Sequence, residues 1–335
     1  MTISRFLLVC VAVCAGGIMH AQVLINGAGA TFPYPIYAKW FDEYQKINPQ
    51  AHINYQSIGS GGGIRQLLAG TVDFGATDSP MSDEQMSKAP SKVLHFPTVL
   101  GAVVATYNVP GIKHDMNFSA EALAGIFMGN ITKWNHPELV KANPKASLPA
   151  SDIVVVHRSD GSGTTFVWTD YLSKVSPVWK SSVGAGTSVR WPVGLGAKGN
   201  EGVAGLVKQT PNSIGYVELV YALQNKMPYG SVRNAAGHFA KPELKSVTAA
   251  AAGVTVPDDF RVSITNAAGK DSYPISSFTW LLVPQKIQDA GKRKILTGFL
   301  QWMLKDGQKL AESLGYAPLP NAVVAKELKA IPQIQ

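Results

Sequence analysis

Between Val154 and Phe166 an apolar run passes abruptly into Arg158-Ser-Asp-Gly-Ser-Gly-Thr164. A strand ending in such a loop, with a helix beginning near Thr164–Thr165, can aim backbone N–H groups, hydroxyls and one guanidinium at a single point. That collection of donors suits an oxyanion, although an ordinary turn with an N-cap uses the same residue types. Two further loops have the same character. Ala30-Thr31-Phe32 and Gly59-Ser60-Gly61 each place small or hydroxyl residues just ahead of a helical pattern. Each helix amino end carries roughly half a positive charge and unpaired N–H groups, so three of them sum to about +1.5. That suffices to hold a doubly charged oxyanion in a dry cleft, provided hydrogen bonding is dense enough to offset the loss of water.

Asp78, in Thr77-Asp-Ser-Pro80, is the odd member of this set. A carboxylate beside an anion repels it, and a turn or cap aspartate is the plain alternative. The sharper reading makes Asp78 an acceptor for a proton that the ligand itself carries. Phosphate keeps a proton near neutrality and sulfate does not, so a lone acceptor among donors admits hydrogen phosphate and rejects sulfate. Asp160, two residues from Arg158, is expected to steady the guanidinium rather than touch ligand.

Other chemistries fit less well. Gly194-Leu-Gly-Ala-Lys-Gly199 matches the dinucleotide pattern, with Glu218 at a suitable distance, but Trp191-Pro192 is a poor preceding strand. The chain has no G-x-x-x-x-G-K-[ST], H-E-x-x-H or G-x-S-x-G motif. Its histidines are scattered, which argues against a metal cluster, and no cofactor is expected. His157 lies near Ser162, so a Ser/His pair is conceivable, but a histidine ending a strand reads first as structural.

The elements that must carry these loops can be read from periodicity. Tyr37, Trp40, Phe41, Tyr44 and Ile47 form one helical stripe, with Thr31 as its expected N-cap and Pro33 and Pro35 in the first turn. Strands are expected at 52–56 and 72–76, and a helix around Ile64, Leu67 and Leu68. Two long apolar strands, 93–109 and 275–283, are natural partners. Helices are expected near 121–128, 203–208, 295–304 and 322–328, and a strand at 214–219. The stretch 141–150 reads as a polar connector and 226–271 as loop-like. Successive strand–helix units with polar residues at the strand ends describe an α/β fold that binds ligand at that edge. An early and a late crossing strand imply a discontinuous first lobe, residues 22–100 and 279–335, and a second lobe, residues 101–278, with a hinged cleft between them.

The chain opens with Arg5, an apolar or small run from Phe6 to Met19, and Ala21 before Gln22, the pattern of a cleaved secretory signal over residues 1–21. Both cysteines, Cys10 and Cys14, lie within it, so the exported chain depends on its core rather than disulfides. One of the 30 basic and none of the 22 acidic residues belong to that segment, leaving a net charge of +7. The lysines are dispersed, which argues against nucleic acid and leaves room for an anionic ligand.

Gly27-Ala-Gly-Ala-Thr-Phe-Pro-Tyr-Pro35, Tyr55-Gln-Ser-Ile-Gly-Ser-Gly-Gly-Gly63, Val72-Asp-Phe-Gly-Ala-Thr-Asp78, Gly129-Asn-Ile-Thr-Lys-Trp-Asn135, Arg158–Thr164 and Trp191-Pro-Val-Gly-Leu-Gly196 together resemble the periplasmic phosphate-binding components of bacterial ABC importers. The resemblance runs through essentially the whole exported chain. It implies a type II periplasmic-binding fold, two α/β lobes joined by a two-strand hinge, with one inorganic phosphate buried between them. By motif it assigns Thr31, Phe32 (through its N–H), Ser60 and Asp78 of the first lobe as ligand residues. Arg158, Ser162, Gly163 and Thr164 of the second lobe complete the set, with Asp160 paired to Arg158. Departures such as Ser57, Gly61 and Ser159 fall between these positions. The glycines at 194–199 then read as a structural loop. The implied protein is a periplasmic, non-enzymatic monomer that docks on membrane permease subunits served by an ATPase. An exported phosphomonoesterase and a binder of another oxyanion are the alternatives.

Overall fold

A computed structural model describes residues 22–112 and 115–335; the expected signal segment, 1–21, lies outside the described residues. The chain begins β1 (Val23–Gly29), α1 (Tyr34–Ile47), β2 (Ala51–Ser57), α2 (Ser60–Leu68), β3 (Phe74–Thr77), α3 (Asp83–Ser87) and the sixteen-residue β4 (Val93–Asn108). It continues through β5 (Asn117–Phe118), α4 (Ala120–Phe127), α5 (Pro137–Ala142), β6 (Val154–Arg158), α6 (Gly163–Val175), α7 (Pro177–Ser182) and β7 (Leu195–Ala197). Next come α8 (Gly199–Gln209), β8 (Ser213–Glu218), α9 (Leu219–Gln224), β9 (Ser231–Arg233), β10 (Phe239–Ala240) and α10 (Leu244–Ala252). The chain closes with β11 (Ser276–Pro284), α11 (Ala290–Lys305) and α12 (Asn321–Ala330).

Eight strands share one sheet in the order β2-β1-β3-β11-β4-β8-β6-β7. The two ends are parallel, β2-β1-β3 on one side and β8-β6-β7 on the other, as expected for strands separated by helices. The long strands β4 and β11 run antiparallel through the middle. From Val93 to Ala102, β4 pairs with β11; from Val103 to Asn108 it pairs with β8. One continuous apolar strand therefore serves both halves, which is why its sequence is apolar at nearly every position rather than alternating.

The helices bury the stripes that periodicity marks. In α1, Tyr37, Trp40, Phe41 and Tyr44 are buried, and Phe41 meets Phe299 of α11 at 5.2 Å between ring centroids. Ile47 departs from the expected stripe: as the last residue of the helix it is 64% exposed. Five tryptophans, 40, 134, 168, 179 and 280, are fully buried, so the aromatic residues build cores.

Several expectations need correction. Thr31 is not the N-cap of α1; Pro33 occupies that place, and the Thr31 carbonyl accepts the Tyr34 N–H at 3.2 Å. The stretch 226–271 is not loop throughout, since β9, β10 and α10 lie within it. Alanine favours helix strongly, but the alanines of α10 leave only a weak apolar stripe to read. Short α5, capped by His136, precedes the 141–150 connector and enters its first residues. Likewise α8 opens at Gly199, four residues before the apolar pattern that marks it.

Candidate functional site

The carboxyl ends of β1, β3 and β6 converge where the two halves meet. After β1 the chain turns through Thr31 and Phe32 into α1. After β2, Gly59 takes a positive φ of 85°, a conformation glycine adopts freely, and this turns Ser60 to the first position of α2. After β6, Ser162 caps α6 by accepting the Thr165 N–H at 3.0 Å. The first-turn N–H groups of a helix have no acceptor within it, so these ends present donors to whatever lies between them.

The structure brings together all the residues marked in the sequence, and they are buried: Thr31, Phe32, Ser60, Asp78, Arg158, Ser162, Gly163 and Thr164. The halves are in contact. The Gly61 N–H donates to the Gly161 carbonyl at 2.9 Å, and Arg158 Nη1 donates to Thr31 Oγ1 at 3.2 Å. Tyr221 donates its hydroxyl to the Thr31 carbonyl at 2.5 Å. Gly163 lies so close to the opposite wall that a Cβ there would come within 2.5 Å of Asp78 Oδ2. That approach is open only to glycine.

Arg158 is held as expected. Its Nε donates to Asp160 Oδ1 at 2.7 Å and its Nη2 to Oδ2 at 2.5 Å, the bidentate geometry that fixes a guanidinium plane. Burial pushes the Asp160 carboxyl up, but the Arg158 bonds and charge outweigh it and hold the group below its usual value. Asp160 Oδ1 also accepts the Gly199 N–H at 3.1 Å, tying the start of α8 to the arginine.

Asp78 occupies a different environment. Its Oδ1 accepts the Thr279 hydroxyl at 2.8 Å, and its Oδ2 lies 3.5 Å from Ser60 Oγ. Burial pushes its pKa up to about 7, against the pull of the Thr279 bond and the Arg158 charge. A carboxyl that titrates near neutrality can share a proton with a partner that also titrates there.

Asn200 joins the site without a clear signal in the sequence, and the Glu218 backbone N–H holds it there by donating to its Oδ1 at 2.9 Å. Asn200, the second residue of α8, is completely buried and donates Nδ2 to Thr31 Oγ1 at 2.7 Å and to Thr164 Oγ1 at 3.1 Å. Glu218, at the end of β8, is equally buried, and burial raises its pKa well above the usual carboxylate range. The 194–199 loop is thus more than spacing, because it delivers Asn200. His157 and Ser162 have other partners. The His157 ring stacks on Trp191 at 4.8 Å with Nδ1 3.0 Å from the Arg158 carbonyl, and Ser162 caps its own helix. Among the described residues no group of His, Cys, Asp and Glu side chains could hold a metal ion.

A fold of two α/β halves with donor-rich helix ends meeting across a shared central pair of strands is that of a two-lobed solute-binding protein. A family model described as a PBP superfamily domain matches residues 19–307. The chain is 47% identical to the phosphate-binding protein PstS of Xylella fastidiosa strain Temecula1, over 92% of this chain and 85% of that one. It is also 47% identical to the PstS of Pasteurella multocida, covering 90% of this chain and 88% of the relative. A phosphate-binding protein from Stenotrophomonas maltophilia has the same fold, with a TM-score of 0.74 at 20% identity over 92% and 94% of the two chains. The chain belongs to the PstS family of phosphate-binding proteins within the PBP superfamily.

Proposed function

We propose that this protein captures inorganic phosphate as the monohydrogen dianion in the closed cleft and hands it to an ABC-type importer. The observation that carries the reading is the arrangement of donors from both halves around one buried acceptor, Asp78, whose pKa lies near neutrality. Thr31, the Phe32 N–H and Ser60 hold the anion from one side; Arg158, Ser162, Gly163 and Thr164 hold it from the other. Asp78 takes the remaining ligand proton, and Asp160 keeps Arg158 in plane. The division into a first lobe of 22–100 with 279–335 and a second of 101–278 follows from the same reading. The strands β4 and β11 are its hinge.

The protein binds without turnover. Ser162 spends its oxygen on the α6 cap and His157 stacks on Trp191, so neither is arranged as a nucleophile with its base. It works in the periplasm after loss of residues 1–21, as a monomer that docks on permease subunits driven by a cytoplasmic ATPase. Incubating the purified protein with a phosphomonoester while measuring released and retained phosphate separates this reading from a hydrolase. Retention of at most one phosphate per chain with no continuing release is expected. Multiple turnovers that disappear in Ser162→Ala would overturn it.

A further inference from the structure

Three successive carbonyls in the loop between β1 and α1 are each held by a tyrosine. Tyr55 donates its hydroxyl to the Ala30 carbonyl at 2.8 Å, Tyr221 to the Thr31 carbonyl at 2.5 Å and Tyr316 to the Phe32 carbonyl at 2.7 Å. A carbonyl only accepts, so each phenol is the donor. Burial raises the Tyr221 phenol above its usual pKa, which keeps that hydrogen in place.

Every described peptide bond is trans, and a trans peptide unit is rigid, with its C=O and N–H pointing in opposite directions. Holding the Thr31 carbonyl therefore sets the direction of the Phe32 N–H, a ligand donor in the reading above. Among the described residues neither the Thr31 nor the Phe32 N–H donates to a protein acceptor, although both residues are buried. A buried donor left unpaired is costly, so these two groups are free for an anion.

The three tyrosines differ in origin. Tyr55 in β2 and Tyr316 beyond α11 belong to the same half as the loop. Tyr221 lies in α9, directly after β8, and reaches across from the other half. The Tyr34 N–H also donates to the Thr31 carbonyl, at 3.2 Å, but it comes from the loop's own half and is the longer bond.

We propose that Tyr221 is a positioning residue: as the halves meet it takes the Thr31 carbonyl and so turns the Phe32 N–H of the same peptide toward the anion. The inference rests on the phosphate reading above. A hydrogen bond at the carbonyl also polarises the peptide and strengthens its N–H as a donor. The phenol acts from the far face of the peptide, without touching the ligand.

The test is phosphate titration and triple-resonance NMR of the intact exported protein and of Tyr221→Phe. Correlating an amide proton with the preceding carbonyl carbon gives one signal for the Thr31–Phe32 unit, so both ends of that peptide are read together. Tyr221→Phe should bind phosphate about three- to tenfold more weakly, since one hydrogen bond is lost and the Tyr34 bond remains. In the phosphate-saturated variant the carbonyl carbon and the Phe32 amide proton should both move upfield. The Gly163 amide proton on the facing wall should keep its wild-type position. A merely structural role would disturb both walls together. Tyr221→Met, which fills the place with an adaptable apolar side chain, must give the same readouts should Tyr221→Phe fail to fold. Wild-type affinity, a Thr31–Phe32 signal that matches wild type, or an equal displacement of Gly163 would each overturn the inference. Failure of the wild-type protein to bind phosphate would instead bring down the functional reading, and this inference with it.

Discussion

Replacing Asp78 by asparagine keeps the shape of the side chain and removes the charge. The carboxyl is buried and its pKa is pushed from 3.8 to about 7, so ionising it within the fold costs about 4 kcal/mol as an upper bound. A ligand hydrogen that bonds to the carboxylate offsets that cost; sulfate has none to offer. Sites built around a buried hydrogen bond reject analogues lacking it by roughly 10⁴–10⁵-fold. In Asp78→Asn the amide can turn a donor toward any oxyanion. Sulfate should then gain at least about a hundredfold in affinity, while phosphate loses one charged hydrogen bond, about 1.5–3 kcal/mol, partly offset by relief of the buried charge. Isothermal titration of wild type and variant with both anions at about pH 8 reads the difference. Continued exclusion of sulfate by a variant that still binds phosphate would refute the proton-reading role. The ligand-free proteins offer a second check. The folded pKa lies above the unfolded one, so this contribution to stability is full below about pH 4 and is lost as pH rises through about 7. The variant should match wild type at about pH 4 and exceed it by up to about 4 kcal/mol at about pH 8, measured by denaturant unfolding. Equal gains at both pH values would contradict the assigned titration.

Other perturbations probe separate parts of the structure. Gly163→Ala places a methyl group against Asp78 and should weaken phosphate binding at least about a hundredfold; near-normal affinity would mean the halves need not approach so closely. Glu327 is wholly buried, neither carboxyl oxygen has a hydrogen-bond partner among the described residues, and burial raises its pKa well above the ordinary range. Glu327→Met should therefore stabilise the protein by about 1–3 kcal/mol at about pH 8, and a loss in denaturant unfolding would show an unrecognised role. His95 accepts the Met81 N–H at 3.1 Å, and burial followed by the Arg261 charge lowers its pKa to about 3. Its stabilising contribution is present above about pH 6.5 and is lost as pH falls toward 3. His95→Gln should flatten this acid arm of a thermal melt series, and an unchanged slope would assign the loss to other groups.

The parts of the site that could be read in the sequence are those whose chemistry is local. A glycine, a serine and a helical stripe are contiguous in Gly59–Leu68 and in Gly161–Val175, so the loops announce the helix ends that follow them. Arg158 and Asp160 are two residues apart and pair as their spacing suggests. The matching long apolar strands at β4 and β11 were legible for the same reason. Asn200 was not, because an asparagine after glycine at a helix start looks like any solvated first turn; only the register of β7 and β8 places it between Thr31 and Thr164. Tyr221 and Tyr316, which donate to the Thr31 and Phe32 carbonyls, come from 190 and 284 residues away, and no periodicity carries such information. The Thr31 assignment shows the converse error. A threonine before a helix suggests a cap, but tertiary partners turn the side chain into the cleft and the backbone caps differently.

The central claim is that donors from both halves leave one acceptor, so that the ligand's own proton decides what binds. Its most direct test is isothermal titration of the wild-type protein with phosphate, arsenate, sulfate and molybdate at about pH 8. The structure predicts one tight site for phosphate, with arsenate competing because it keeps a proton near neutrality, and no measurable heat from sulfate. Sulfate binding as tight as phosphate, displaced by phosphate from the same site, would contradict it.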